Sequence, residues 1–123
     1  MTHVLVIDDE EMVRKTIKMI LEKVGFEVSL AGNGKQGMEM VVSRPPELII
    51  TDMIMPEMDG VETTMEIRSK YPDIKIVAIS GGGRVHNLDF LKYAKEMGAH
   101  AILPKPFTKE ELLGAVLMAM ENG

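Results

Sequence analysis

Apolar residues along this chain alternate between two patterns. Five short unbroken runs, "HVLVID" (3–8), "FEVSLA" (26–31), "ELIIT" (47–51), "IKIVAIS" (74–80) and "HAILP" (100–104), are rich in Val, Ile and Leu. Unbroken β-branched runs of this length predict strands buried on both faces. Between them the period changes to that of a helix. Over 10–24, Met12, Val13, Thr16, Ile17, Ile20, Leu21 and Val24 recur at spacings of three and four. Further helices are expected at 34–43, 60–70, near 87–97 and at 108–121. Their stops are written in the chain: Gly25 and Gly98 can take the left-handed conformation that ends a helix, and Pro45-Pro46 and Tyr71-Pro72 break the second and third. Thr108, with Glu111 three residues on, forms a capping box for the last. Strand then helix, five times over, specifies an α/β fold: a doubly wound five-stranded parallel sheet with right-handed crossovers and five helices on both faces. Strand order does not follow from the pattern. No linker, repeat or low-complexity stretch interrupts it, so 1–123 is expected to be one domain.

The strands end in polar groups. "VLVI" runs into Asp8-Asp9, "LIIT" into Asp52 and "IVAI" into Ser80, while "AILP" stops just before Lys105. In open α/β sheets ligands bind outside the carboxyl ends of the strands. One polar group there is usually a solvated strand end. Four such ends, carrying types that suit one chemistry, argue for a site. The chemistry is metal-assisted phosphoryl transfer to a carboxylate. Mg²⁺ is held by one or two carboxylates with waters and phosphate oxygens; Asp9 and Asp52 would bind it directly and Asp8 through water. Asp52 is ionised at neutral pH without a base, since its reference pKa is ~3.9, and one of its oxygens is free to attack phosphorus. Ser80 and Lys105 would donate to the phosphoryl oxygens. A buried carboxylate at the end of an apolar strand is costly unless paired, and a cation at Asp52 would offset that cost.

Composition narrows the alternatives. Hydrophobic residues make up 46% of the chain, enough for a core, and the formal net charge of −5 argues against broad nucleic-acid binding. With no cysteine there is no disulfide framework and no thiolate metal site, which is consistent with a reducing, cytoplasmic setting. No apolar run approaches the ~18 residues of a membrane span, and acids within the first ten residues exclude a secretory signal.

The segments "VLVIDDE", "AGNGKQGMEM", "PELIITDMIMPEMDG", "IVAIS" and "GAHAILPKPF" occur in order over nearly the whole chain, which resembles the receiver domain of two-component response regulators, as in the stand-alone chemotaxis type. The resemblance implies a flavodoxin-like fold with strand order 2-1-3-4-5. It implies that Asp52 accepts phosphate from a sensor histidine kinase or a histidine phosphotransfer protein, and that an output protein responds. It places the metal pocket on Asp8, Asp9 and Asp52 with the backbone carbonyl of Ile54, the switch hydroxyl on Ser80 and the phosphate-contacting lysine on Lys105. Lys105-Pro106 matches a bond usually cis in such domains. The expected protein is a monomer or weak dimer that assists its own phosphorylation rather than a turnover enzyme, with no direct nucleic-acid contact and no membrane insertion. Met1 reads as a true start. The rival readings are a receiver excised from a longer DNA-binding or enzymatic regulator and an interaction module that is never phosphorylated; the complete acid, hydroxyl and lysine set argues against the second.

Three positions depart from the family's pattern. Ile102 stands where an aromatic switch residue is common; "GGGRVHNLD" after Ser80 is long and glycine-rich; and Pro104 precedes Lys105. With Ile102 small and stiff at χ1, the flexible switch is expected in Gly81 to Arg84 and the start of the fourth helix, displaying Phe90, Leu91 and Ile102. Other readings are discounted. "GNGKQG" (32–37) satisfies a dinucleotide-binding spacing but follows the second strand, and Gln36 stands where a P-loop needs Ser or Thr. Ile54 occupies the place where a haloacid-dehalogenase phosphatase needs a second Asp. His3, His86 and His100 lack ligand spacing. Glu10 and Glu11 are read as electrostatic partners of a helix N-terminus, and the twelve methionines mainly as core filler.

Overall fold

The computed structural model describes residues 2–53, 60–80, 96 and 98–121. Five strands, β1 (His3–Ile7), β2 (Glu27–Ala31), β3 (Leu48–Asp52), β4 (Lys75–Ser80) and β5 (Ala101–Pro104), form one sheet in the order β2-β1-β3-β4-β5. Every neighbouring pair is parallel. The helices are α1 (Glu11–Lys23), α2 (Gly34–Ser43), α3 (Gly60–Lys70) and α4 (Lys109–Glu121). Elements expected from periodicity therefore stand within one residue of their places. The helix expected near 87–97 lies outside the described residues except for Glu96, as do Ile54, Gly81 to Arg84, His86, Phe90 and Leu91.

The two-residue period of each strand sorts its side chains between two cores. Val4, Val6, Leu48, Ile50, Val77 and Ile79 face α1 and α4, where they meet Ile17, Leu21, Leu112 and Val116. Leu5, Ile7, Ile49, Ile76 and Ala78 face the other way, onto Met38 and Val41 of α2 and Ile67 of α3. Ile7, Ile17, Leu21, Ile49 and Ile50 are wholly buried, so truncating any one to Ala should cost about 2–5 kcal/mol. The methionines divide: Met38 and Met53 are buried, but Met12, Met19, Met65 and Met118 are exposed. Core filling thus explains only some of them, because the outer positions of α1, α3 and α4 carry Met as well.

Local chemistry sets the helix ends. Thr108 Oγ1 accepts from the Glu111 amide at 3.0 Å and Glu111 Oε1 accepts from the Thr108 amide at 2.8 Å, the expected capping box. Gly25 (φ 99°) and Gly98 (φ 123°) adopt left-handed backbone. The glycine-rich stretch before α2 is used internally. Asn33 Oδ1 caps the Gln36 amide at 2.7 Å, Gln36 Oε1 takes the Gly32 amide at 2.7 Å and the Gly37 amide bonds the Asn33 carbonyl at 3.0 Å. Three amides of this stretch are thus engaged within the chain. Gly37 is glycine because a Cβ there would run into the side chain of Ile7, the close approach of α2 to the sheet.

Two histidines sit at the opposite end of the sheet from the acidic strand ends. His3 is buried, its Nε2 lies 2.7 Å from Ser29 Oγ, and its Nδ1 has no hydrogen-bond partner among the described residues. His100 Nδ1 accepts from the Ile76 amide at 3.1 Å, so His100 must be neutral to hold β5 against β4. Burial, then the charge of Arg44, lowers the pKa of His3; burial, then Arg68 and Lys75, lowers that of His100. The folded state therefore binds fewer protons than the unfolded one. Their stabilisation is complete above the unfolded value of ~6.5 and is lost as pH falls through it toward the folded values. Thermal unfolding should show a melting temperature lower by a few degrees at pH 5.5 than at pH 7.5. His3→Gln combined with His100→Asn should flatten that slope, and an unchanged slope would remove the histidines as its cause.

Candidate functional site

β1 and β3 are neighbours, with Ile7 opposite Thr51. The next residue on each strand is a carboxylate, so register alone brings Asp8 and Asp52 side by side. Both are buried, with Asp8 fully enclosed and Asp52 3% exposed. Asp8 is fixed by its surroundings. Its amide bonds the Ala31 carbonyl at 3.1 Å, its Oδ1 accepts from the Glu10 amide at 2.8 Å, and its carbonyl accepts from Arg14 Nη1 at 2.7 Å. On the β3 side, the Met53 amide bonds the Ile79 carbonyl at 2.8 Å, and Thr51 Oγ1 donates to the Asp52 carbonyl at 3.1 Å. Asp9 and Glu10, at the start of α1, are exposed.

Lys105 enters from the far side of the sheet, directly after β5 and across a cis bond to Pro106. Its side chain is 9% exposed, and Nζ lies 2.8 Å from Asp8 Oδ2, 3.0 Å from Glu10 Oε1 and 3.4 Å from Asp52 Oδ2. The sequence reading paired Lys105 with Asp52; the structure adds two shorter contacts. Glu10 occupies the N-cap of α1 without a side-chain capping bond, and its carboxylate turns to Lys105. Glu10 thus stands at the helix N-terminus as expected and has a second role as a partner of Lys105. Glu11 instead pairs with Lys15 along the exposed face of α1, at 2.9 Å. Neither Glu10 nor Arg14 was recognised as part of the site from sequence. The available signal was the run of four acids after β1, Asp8 to Glu11, followed one helical turn later by an arginine.

Burial raises the Asp8 pKa above the ordinary carboxylate value, against the pull of Lys105, with the nearby Asp52 charge acting in the same direction as burial. Burial alone would lower Lys105. Its hydrogen-bonding and Coulombic interactions with Asp8, Asp52 and Glu10 outweigh that and hold it above the usual lysine range. The stabilisation drawn from the raised lysine pKa is complete below ~10.5 and is lost only as pH rises through the folded value, so the ammonium is present throughout the physiological range.

Carboxylate oxygens of Asp8, Asp9, Glu10 and Asp52 lie within 4.8 Å of one another, and no histidine joins them among the described residues. An all-oxygen set suits a hard divalent cation. Asp8 Oδ2 adds a specific reason: it is buried, and the Lys105 ammonium at 2.8 Å uses only part of the acceptor capacity of a carboxylate oxygen. The structure thus gathers Asp8, Asp9, Asp52 and Lys105 at one point. Ser80 ends β4 opposite Pro104, which puts its backbone at the same edge of the sheet. Ile102 is half-buried against the core beneath α2 and α3.

Comparison with known proteins agrees with this geometry. The profile of the family described as "Response regulator receiver domain" matches residues 4–117. "Response regulator MprA" of Mycolicibacterium vanbaalenii is 34% identical over 115 residues, covering 90% of this chain and 47% of that protein. The chain thus spans about half the length of the curated relatives it matches. A response regulator receiver domain protein from Clostridium thermocellum is 32% identical with a TM-score of 0.88, covering 98% of this chain and 94% of the other. The receiver domain of NtrX from Brucella abortus is 29% identical with a TM-score of 0.90, covering 98% and 99%. Buried paired acids at adjoining strand ends, a lysine brought to them from β5, and a family profile over almost all of the chain lead to one identification: this chain belongs to the response regulator receiver domains of two-component signal transduction.

Proposed function

We propose that residues 1–123 act as a single Mg²⁺-dependent phosphoacceptor domain, with Asp52 taking a phosphoryl group from the phosphohistidine of a sensor kinase or a histidine phosphotransfer protein. The observation that carries this reading is the placement of Asp52 Oδ2 beside the Lys105 ammonium, at 3.4 Å, inside a cluster of further carboxylates. One Asp52 oxygen attacks phosphorus. A P–O bond forms as the P–N bond of the phosphohistidine breaks, and the electron pair returns to the imidazole. Lys105 stands ready to bond the transferred phosphoryl oxygens, with Ser80 proposed as the second donor. Bound Mg²⁺ would supply charge neutralisation between the clustered acids and the incoming phosphoryl group. Asp9 and Asp52 would hold it, with Asp8 behind them and the Ile54 carbonyl as the remaining protein ligand.

The domain works by being modified rather than by turnover. The phosphorylated surface is proposed to be read by an output domain or output protein. A cytoplasmic setting fits the partners proposed, and no helix among the described residues is long and apolar enough to cross a membrane.

Incubation with acetyl phosphate and Mg²⁺ should add one phosphoryl group, seen by intact mass, and Asp52→Asn should abolish it; full modification of that variant would overturn the assignment. Mg²⁺ should also stabilise the fold. At tenfold excess over its dissociation constant the gain is about 1.4 kcal/mol, or roughly 5 °C in melting temperature for a domain of this size. Asp9→Ala should lose most of that rise, and an undiminished rise would place the cation elsewhere.

A further inference from the structure

Lys105 faces three carboxylates that differ in what they lose if it moves. Asp8 is enclosed and cannot turn to water. Asp52 is the proposed phosphoacceptor. Glu10 is different: its side chain is 60% exposed, yet its Oε1 receives a hydrogen bond from Lys105 Nζ at 3.0 Å. The chain fixes this contact from both sides. Glu10 is anchored at the start of α1 by its amide bond to Asp8 Oδ1, 2.8 Å, and by the Arg14 amide on its carbonyl, 3.1 Å. Lys105 is anchored at the exit of β5. Their ion pair stands in the wall of a groove of about 520 Å³, lined also by Met12, Val13, Thr16, Pro106 and Phe107, where α1 faces the chain after β5.

Resting on the assignment of Asp52 as phosphoacceptor, we propose that Glu10 is a positioning residue that holds the Lys105 ammonium toward α1 in the resting protein and yields it to the phosphoryl group. Phosphorylation adds negative charge at Asp52, and one ammonium cannot serve every acid equally. The partner it leaves must be the one that water can satisfy. Only the Glu10 side of this pair is open to water, so the carboxylate is resolvated when the contact breaks, whereas leaving Asp8 would strand a buried charge. The exchange needs no backbone movement and frees a carboxylate into the groove.

The test separates reach from charge. Glu10→Gln keeps the shape and removes the charge; Glu10→Asp keeps the charge but falls one methylene short of Lys105. Phosphorylation by acetyl phosphate at saturating Mg²⁺ should be accelerated by both, by about twofold to fivefold, the factor expected when a pair open to water on its carboxylate side is released. In a Lys105→Met background neither should change the rate. Rates equal to wild type, an effect confined to Glu10→Gln, or an effect that survives in Lys105→Met would overturn the proposal. Mg²⁺ affinity in the same variants should change by less than about threefold; a larger loss would make Glu10 a metal ligand instead and overturn it too. Asp52→Asn is run alongside. If the wild-type chain is not modified, or Asp52→Asn is, the phosphoacceptor reading itself has failed; if only the Glu10 variants fail to differ, the positioning role alone has.

Discussion

One ammonium shared among buried and half-open carboxylates is the interaction on which the functional end of this molecule depends. Asp8 and Asp52 are forced together by the register of β1 and β3. Two like charges removed from water would drive the strand ends apart or stay protonated unless a cation stood with them. Lys105 is that cation, with Nζ 2.8 Å from Asp8 and 3.4 Å from Asp52. It comes from β5, which is separated from β1 by β3 and β4. At ~4.8 Å per strand that is roughly 14 Å, more than a lysine side chain can span, so the chain leaving β5 must turn back over the sheet. The strand order and the β5 exit are therefore conditions of the site.

The same arrangement explains why the domain tolerates an uncomfortable residue. The Asp8 carboxyl is raised in pKa by burial despite the adjacent lysine, so its charged form is disfavoured by the fold. Its Oδ2 is enclosed and depends on the Lys105 ammonium, 2.8 Å away, for compensation. Strain of this kind persists at functional sites because the charge is used there, and it leaves the pocket receptive to further positive charge. Stability is supplied elsewhere, by two continuous apolar layers on either face of the sheet. The layers hold the strand ends rigid, so small rearrangements of Lys105 can occur without repacking the core.

Much of this was legible in the chain. Buried parallel strands leave an unbroken Val, Ile and Leu signature, so β1, β3 and β4 were visible as runs, and the last helix announced itself through Thr108 and Glu111. Asp8, Asp9, Asp52 and Lys105 were legible because each stands at a strand end, and a parallel sheet gathers such ends. Side-chain reach was not legible. Whether Lys105 lies nearest Asp8, Glu10 or Asp52 depends on a few ångströms of loop path that no periodicity encodes. Arg14 was hidden for a related reason: its bond to the Asp8 carbonyl depends on how α1 tilts against β1. The exposure of Met12 and Val24 escaped notice because an apolar residue at a helix boundary position satisfies the same spacing whether it faces the core or water.

The central claim is that Lys105 is energetically tied to the buried acids, above all Asp8, and does more than occupy space near them. A double-mutant cycle on unfolding free energy, in metal-free protein, tests this directly with Lys105→Met, Asp8→Asn and the combination. Lys105→Met alone strands buried carboxylates and should destabilise clearly; once Asp8 is neutral, the same substitution should cost much less. The predicted coupling is at least about 1 kcal/mol, beyond the ~0.5 kcal/mol within which independent sites add. Costs that simply add would contradict it, and would mean that Lys105 contributes to stability through packing of its aliphatic stem and not through the charge it brings to the strand ends.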